Sequence, residues 1–142
     1  MGSFSDLFAG SNFKRTIQQY CADQGWNLVD LSDKRAVLKF RMDSGRIQTL
    51  YILKYDTTLE FSVPSELAYE DNDIPHRLST LLLKRNTERK IGFWCLEVIE
   101  DEFVFECMHN AEMQLINSAY FESVVRTLVN ECDEFESAIR NL

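Results

Sequence analysis

Hydrophobic residues recur at helical spacing in three segments of the chain. They are Phe13, Ile17, Tyr20 and Cys21 in the first, Ile74, Leu78, Leu81 and Leu82 in the second, and Phe121, Val124, Val125, Leu128, Cys132, Phe135 and Ile139 in the third. Residues suited to cap these helices precede them: Ser11 or Asn12, Asp73, and Asn117 or Ser118. Gly25 is placed to end the first helix. The pattern predicts three amphipathic helices, the first beginning after an N-terminal arm, residues 1–10.

Between these helices the hydrophobic period changes to two, which is typical of half-buried strands. Three or four strands are predicted from Trp26 to Val63, and two more over 91–99 and 103–109. The order is α, three or four β, α, two β, α. It predicts one α+β domain, residues 11–142, in which an antiparallel sheet of about five or six strands packs its helices mainly on one face.

Turn geometry decides which strand residues face the helices. A two-residue turn at Ser44 and Gly45 places Ala36, Leu38, Phe40 and Met42 on the core face with Leu53, Tyr51, Thr49 and Ile47. A two-residue turn at Glu100 and Asp101 pairs Trp94, Leu96 and Val98 with Cys107, Phe105 and Phe103 on the core face. The reverse face then carries six apolar residues, predicted here as a partner or dimer surface: Val37, Leu50, Ile52, Cys95, Ile99 and Val104. The alternative is ordinary surface aliphatics shielded by the stems of Lys39 and Arg41.

Composition and charge narrow the classes of partner. The 142 residues carry a formal net charge of -8, which disfavours nucleic acid and anionic membranes and favours basic partners. No apolar run reaches the length of about 18 residues that a membrane span needs. The four cysteines form no C-x-x-C pair, and Cys95 and Cys107 point to opposite sides of the predicted sheet. We expect reduced thiols and a cytoplasmic protein.

Catalytic motifs are lacking in the sequence. Only two histidines occur, without H-x-x-x-H spacing, and no glycine-rich phosphate loop or G-x-S-x-G elbow is present. We therefore expect no metal, no cofactor and no enzymatic activity. The acidic run Glu131, Asp133, Glu134 and Glu136 is interpreted as a solvated helix face, and the basic cluster Lys84, Arg85, Arg89 and Lys90 as complementing a helix dipole or forming a docking site.

The order of elements resembles a known family. The resemblance covers Ser11 to Leu142 and depends on CADQGW, the strands AVLKFRM and IQTLYILKY, the helix IPHRLSTLLLKRN, the hairpin FWCLEVIEDEFVFEC and the last helix near YFESVVRTLVNECDEF. The chain resembles the YbjN type of bacterial sensory-transduction-regulator-like proteins, whose fold is similar to that of type III secretion chaperones. The resemblance implies a small acidic homodimer that binds another polypeptide or acts as a regulator, with no catalytic residues to transfer.

Three functional possibilities follow. The first is a cytoplasmic, homodimeric binding module that engages an extended or partly unfolded peptide through its sheet face or along its helices. The second is a small-ligand sensor or enzyme whose site gathers dispersed residues such as His76, His109, Cys107 and Glu106. A third possibility, a structural subunit of a larger assembly, is not separated from the first by the sequence.

Overall fold

The computed structural model describes the backbone of residues 2–140 and the side chains of residues 12–140. Its helices are α1 (Gly2–Gln24), α2 (His76–Asn86) and α3 (Ser118–Arg140), with short 3₁₀ turns at Asp71–Asp73 and Met113–Leu115. Its strands are β1 (Leu28–Leu31), β2 (Arg35–Arg41), β3 (Ile47–Tyr55), β4 (Thr58–Tyr69), β5 (Phe93–Ile99) and β6 (Glu102–Glu112). The six strands form one antiparallel sheet in the order β1-β2-β3-β4-β6-β5. The predicted fold class and element order are confirmed.

The first helix is longer than predicted at its start and ends where predicted. Its helical backbone begins at Gly2, so the proposed cap at Ser11 or Asn12 was wrong. The segment contains no proline, and the glycine at position 10 costs a helix only about 1 kcal/mol, so nothing forces a boundary there. At the other end, Gly25 donates to the Ala22 carbonyl (3.1 Å) and Trp26 to the Cys21 carbonyl (2.9 Å), with a φ of 72° at Gly25. These bonds are a Schellman cap.

Of the caps predicted for the other two helices, one is confirmed and one is wrong. The side chain of Asn117 accepts a hydrogen bond from the Tyr120 amide (2.8 Å), which confirms the predicted cap of α3. The predicted cap of α2 by Asp73 was wrong. Asp73 lies in a 3₁₀ turn, and α2 begins at His76 after Pro75, which makes no side-chain cap. Proline suits this boundary because its fixed φ fits a helix start.

The β2–β3 hairpin turns through three residues, so the predicted register was wrong by one. Met42 donates to the carbonyl of Arg46 (2.8 Å), and Gly45, the last loop residue, has a φ of 92°. Leu38 consequently pairs with Leu50 instead of Tyr51. A one-residue shift moves every side chain of a strand to the other face. The core face of β3 therefore carries Leu50 and Ile52.

The β5–β6 hairpin has the predicted register. Trp94 pairs with Cys107, Leu96 with Phe105, and Cys95 with Glu106 on the opposite face. The two turn residues, Glu100 and Asp101, have φ angles of 49° and 69°. Positive φ at both positions is the geometry of a type I′ turn, which matches the twist of the strands it joins.

One core lies between the helices and one face of the sheet. It contains Phe13 and Ile17 of α1, Leu78 and Leu82 of α2, the predicted stripe of α3, and residues of every central strand such as Phe61. The opposite face of the sheet, called here the open face, contributes no residue to this cluster among those described. The prediction that the helices pack mainly on one face is confirmed.

Candidate protein interface

The six residues predicted as a partner surface do not lie together. Leu50 and Ile52 are fully buried under the helices because of the one-residue shift in register. Val37, Cys95, Ile99 and Val104 lie on the open face, but Val37 and Val104 are themselves buried. The remaining pair, Cys95 and Ile99, is half-buried and too small to form a surface by itself.

The centre of the open face holds a buried acid. The side chain of Glu106 is only 1% exposed, and the Cys95 thiol lies 4.0 Å from its Oε1 atom. No ion pair of the described side chains includes Glu106 or its neighbours Glu60 and Glu97. Burial, a hydrogen bond with Glu97 and the nearby charges raise the pKa of Glu106 to about 8. Burial likewise raises the pKa of Cys95 to about 12, so this thiol is not an activated nucleophile.

Exposed hydrophobic side chains cluster instead where α2 meets the edge strand β5. Leu83 of α2 is 66% exposed, and Leu96 and Val98 of β5 are 40% and 59% exposed. Leu83 and Leu96 line a cavity of about 200 Å³, whose other lining residues include Leu82, Trp94 and Phe105. We call Leu83, Leu96 and Val98, together with this cavity, the α2–β5 surface.

The backbone of β5 adds a second feature to this surface. β5 is the last strand of the sheet and pairs only with β6. Within residues 2–140, the Asn86 side chain occupies the outer N–H and carbonyl of Trp94, and beyond Trp94 the outer edge has no strand partner. Unpaired strand edges are templates for pairing with another chain. An apolar strip beside such an edge is the combination that β-augmentation uses.

The geometry of this region depends on a buried ion cluster around Glu131 of α3. Its carboxylate accepts hydrogen bonds from Arg85 (2.5 and 2.8 Å) and from the Trp94 indole (2.8 Å), and it forms an ion pair with Arg89 (2.9 Å). Burial by itself would raise the pKa of Glu131, but the bonds from Arg85 and Trp94 and the charge of Arg89 lower it. The cluster therefore joins α2, the following loop and β5 to α3.

A second buried cluster joins α3 to the β2–β3 hairpin. Asp133 accepts hydrogen bonds from Ser44 (2.8 Å), Arg46 (3.1 Å) and Gln48 (3.1 Å). Glu136 accepts one from Gln48 (2.6 Å) and another from a backbone amide in the irregular part of β4 (2.8 Å). These bonds fix the hairpin against the helix.

The two clusters correct the interpretation of both charged runs. Glu131, Asp133 and Glu136 are buried, whereas only Glu134 of the acidic run is exposed. In the basic cluster, Arg85 and Arg89 are ion-paired with Glu131 rather than free for docking. One feature of the sequence could have indicated that Glu131 is buried. It follows the core residue Leu128 by three positions, which places it on the apolar stripe of the helix.

The dispersed residues of the alternative hypothesis are not gathered into one site. His76 is exposed at the start of α2, and Glu106 and Cys107 point to opposite faces of the sheet. Burial raises the pKa of Cys107 to about 12. Among the described side chains, no three His, Cys, Asp or Glu residues lie close enough to hold a metal ion.

Comparison with known proteins finds solved structures of similar fold. No family model matches the sequence, and no curated protein matches it. A solved structure of YbjN, a candidate transcription regulator from E. coli, is similar with a TM-score of 0.58 and 18% identity, over 82% of each chain. A chain of the HopA1–SchA chaperone–effector complex is similar with a TM-score of 0.64 and 8% identity, over 89% of this chain and 94% of that one.

This chain has a YbjN-like, chaperone-like fold. At these identities the similarity concerns the fold, and function has to be argued from the surfaces of this chain. Within residues 2–140, no helix is both long enough and apolar enough to cross a bilayer.

Proposed function

We propose that this chain is a non-enzymatic protein-binding module that works as a homodimer, with the α2–β5 surface as the contact between the two copies. The observation that carries the proposal is the coincidence of three exposed apolar side chains, an apolar cavity and, beyond Trp94, a strand edge without a strand partner among the described residues. Exposed apolar side chains that cluster, as these do, are typical of protein interfaces.

The distribution of charge along β5 favours a second copy as the occupant. The exposed Lys90 precedes the strand, and the acidic turn Glu100–Glu102 follows it. In a two-fold arrangement of antiparallel β5 strands, the basic end of each copy faces the acidic end of the other. The same arrangement brings the apolar side chains of both copies together.

The first experiment measures the mass of the protein by sedimentation velocity at several concentrations. We expect a dimer, and we expect the double substitution Leu83→Glu with Val98→Glu to weaken the dimer by at least about 100-fold, since it buries charge at the centre of an apolar contact. Both side chains are more than half exposed, so the variant monomer should keep its fold.

The matched control is Leu115→Glu. Leu115 is 84% exposed and lies in the 3₁₀ turn before α3, away from the α2–β5 surface. This variant should remain dimeric. A wild-type protein that is monomeric at all concentrations, or a double variant that dimerises as tightly as the control, would refute the proposed contact.

The dimer then binds a further polypeptide, as a chaperone or as a regulator. Two observations support this part of the proposal: the fold similarity to a chain of a chaperone–effector complex, and the net charge of -8, which favours basic partners. The test is capture of a partner from the native cell, followed by reconstitution from purified components. Titration calorimetry should then give a fixed stoichiometry per dimer, and an absence of binding between the purified components would contradict it.

We place this activity in the cytoplasm. The four cysteines are free thiols, and three of them are buried in the core. Free thiols of this kind are usual in reducing compartments, where disulfides are rare.

A further inference from the structure

His109 connects three elements of the fold through its two ring nitrogens. The residue lies near the end of β6, and its Nδ1 atom accepts a hydrogen bond from the amide of Gly92 (3.1 Å). Its Nε2 atom lies 2.8 Å from the hydroxyl oxygen of Tyr120 in the first turn of α3. The ring therefore joins the loop before β5 to both the sheet and α3.

The bond from Gly92 fixes the protonation state of the ring. A nitrogen that accepts a hydrogen bond carries no proton, so Nδ1 is bare and the imidazole is neutral. The single ring proton then lies on Nε2, which donates to Tyr120. A second proton has only Nδ1 to occupy, where it would point at the Gly92 N–H and abolish the bond.

Gly92 has little freedom to move away while the fold is intact. It has a φ of 85°, and a Cβ atom added here would lie 2.6 Å from the Leu128 side chain and 3.3 Å from the Met108 carbonyl oxygen. The backbone thus packs directly against α3 and β6. Two donor groups facing each other at this point would push the loop outwards.

This loop connects α2 to β5, the two elements that form the α2–β5 surface. It runs from the end of α2 at Asn86 to the start of β5 at Phe93, and Gly92 is its last residue. A second attachment lies at its other side, where the Asn86 side chain exchanges two hydrogen bonds with the backbone of Trp94 (2.6 and 3.0 Å). Release of Gly92 would leave β5 held to α2 through this attachment and through the Glu131 cluster.

We propose that His109 is a pH-sensitive latch, in which protonation of the imidazole releases the Gly92 amide and loosens the α2–β5 surface. The regulatory part of this inference rests on the proposed function, because it assigns control of the same dimer contact. The local part, the release of Gly92, stands without it.

The groups that face the ring favour its neutral form. β4 presents Phe61 opposite His109, the loop presents the Gly92 amide, and α3 presents the Tyr120 hydroxyl. Burial lowers the pKa of His109 below its ordinary value of 6.5. The latch is therefore closed at neutral pH and opens under acidification.

The local test is a titration of the ¹⁵N-labelled protein by NMR between pH 7.5 and 5. The Gly92 amide should shift and exchange faster with water as pH falls, with a midpoint below 6.5. His76→Gln, which removes the exposed histidine, should leave this transition in place, and His109→Gln should remove it. An unchanged Gly92 signal over the whole range would overturn the proposal.

The regulatory test compares sedimentation at pH 7.5 and 5.5. The dimer dissociation constant should rise about 3- to 10-fold for the wild type and for His76→Gln, and less than about 2-fold for His109→Gln. An equal rise in all three proteins would overturn the regulatory role. A protein that is monomeric at both pH values would contradict the proposed function, and the Gly92 titration would still decide the latch.

A second variant covers the case in which His109→Gln does not fold. Tyr120→Phe keeps the imidazole but removes the oxygen that accepts from Nε2, so the Gly92 transition should persist with its midpoint at a lower pH. A midpoint that does not move would show that the ring makes no use of Tyr120, and would contradict the assigned tautomer.

Discussion

At the scale of single residues, a buried carboxylate fixes how several elements are arranged. Glu131 is the centre of the cluster that joins α2 and β5 to α3, and three donor groups satisfy it. A buried charge of this kind is costly to leave without its partners. The cluster therefore stabilises one arrangement of these elements instead of adding much to the free energy of folding.

Glu131→Gln tests this role. The amide cannot neutralise Arg85 and Arg89, so we expect the free energy of unfolding to fall by about 3 kcal/mol. Urea unfolding followed by circular dichroism measures the change. Glu134→Gln, an exposed neighbour on α3, is the matched control and should change the free energy by less than about 0.5 kcal/mol. Equal effects of the two substitutions would show that the buried cluster contributes no more to the free energy of unfolding than an exposed carboxylate does.

The turns define the architecture at the scale of elements. The three-residue turn of the first hairpin decides which residues of β3 are buried, and the two-residue turn of the second sets the face of β5. Gly45 and Gly92 both have positive φ, but only Gly92 is packed against other parts of the protein. The two glycines should therefore respond differently to the same substitution.

Gly92→Ala should lower the free energy of unfolding by about 3 kcal/mol, since the added methyl group meets both a strained φ and the Leu128 side chain. Gly45→Ala meets the strained φ alone and should cost about 1 kcal/mol. Chemical denaturation of both variants checks the difference. If Gly45→Ala proved the more damaging, the close packing at Gly92 would be refuted.

At the scale of the whole molecule, the titratable groups together set how the free energy of unfolding depends on pH. Glu131 and His109 have lowered pKa values, so the stability that they contribute is present at neutral pH and is lost as pH falls. Glu106 has the opposite sign. Its pKa is raised to about 8, so the folded protein holds a proton there that the unfolded chain has already released at neutral pH. The stability due to this proton is full below the ordinary pKa of 4.5, and it is lost progressively as pH rises to about 8.

We therefore expect Glu106 to make the free energy of unfolding decline from about pH 5 to about pH 8 and to cause no further change above that. Glu106→Gln should remove most of this decline, because the amide does not titrate. Urea midpoints at a fixed protein concentration, measured from pH 5 to pH 9, provide the test. Glu100→Gln, in the exposed β5–β6 turn, should retain the decline. A decline of equal size in both variants would assign it to other groups.

The sequence by itself determined the elements and their order. Periodicity located three helices, one of which begins earlier than its cap predicted, and the alternation of polar and apolar residues fixed the β5–β6 hairpin. This succeeded because the two-residue turn at Glu100 and Asp101 sets the pairing of Trp94 with Cys107 that the structure has. The general resemblance of the fold was visible in the order of the elements.

Only the tertiary structure decided the faces and the functional surface. β3 is apolar on both sides, with Leu50 and Ile52 on one and Tyr51 and Leu53 on the other, so its pattern could not choose the register and the turn did. Local pattern also could not show that Glu131 meets Arg85 and Trp94, because these partners are distant in the chain. An interface is made where separate elements meet, and the α2–β5 surface exists only once the edge strand lies beside its helix.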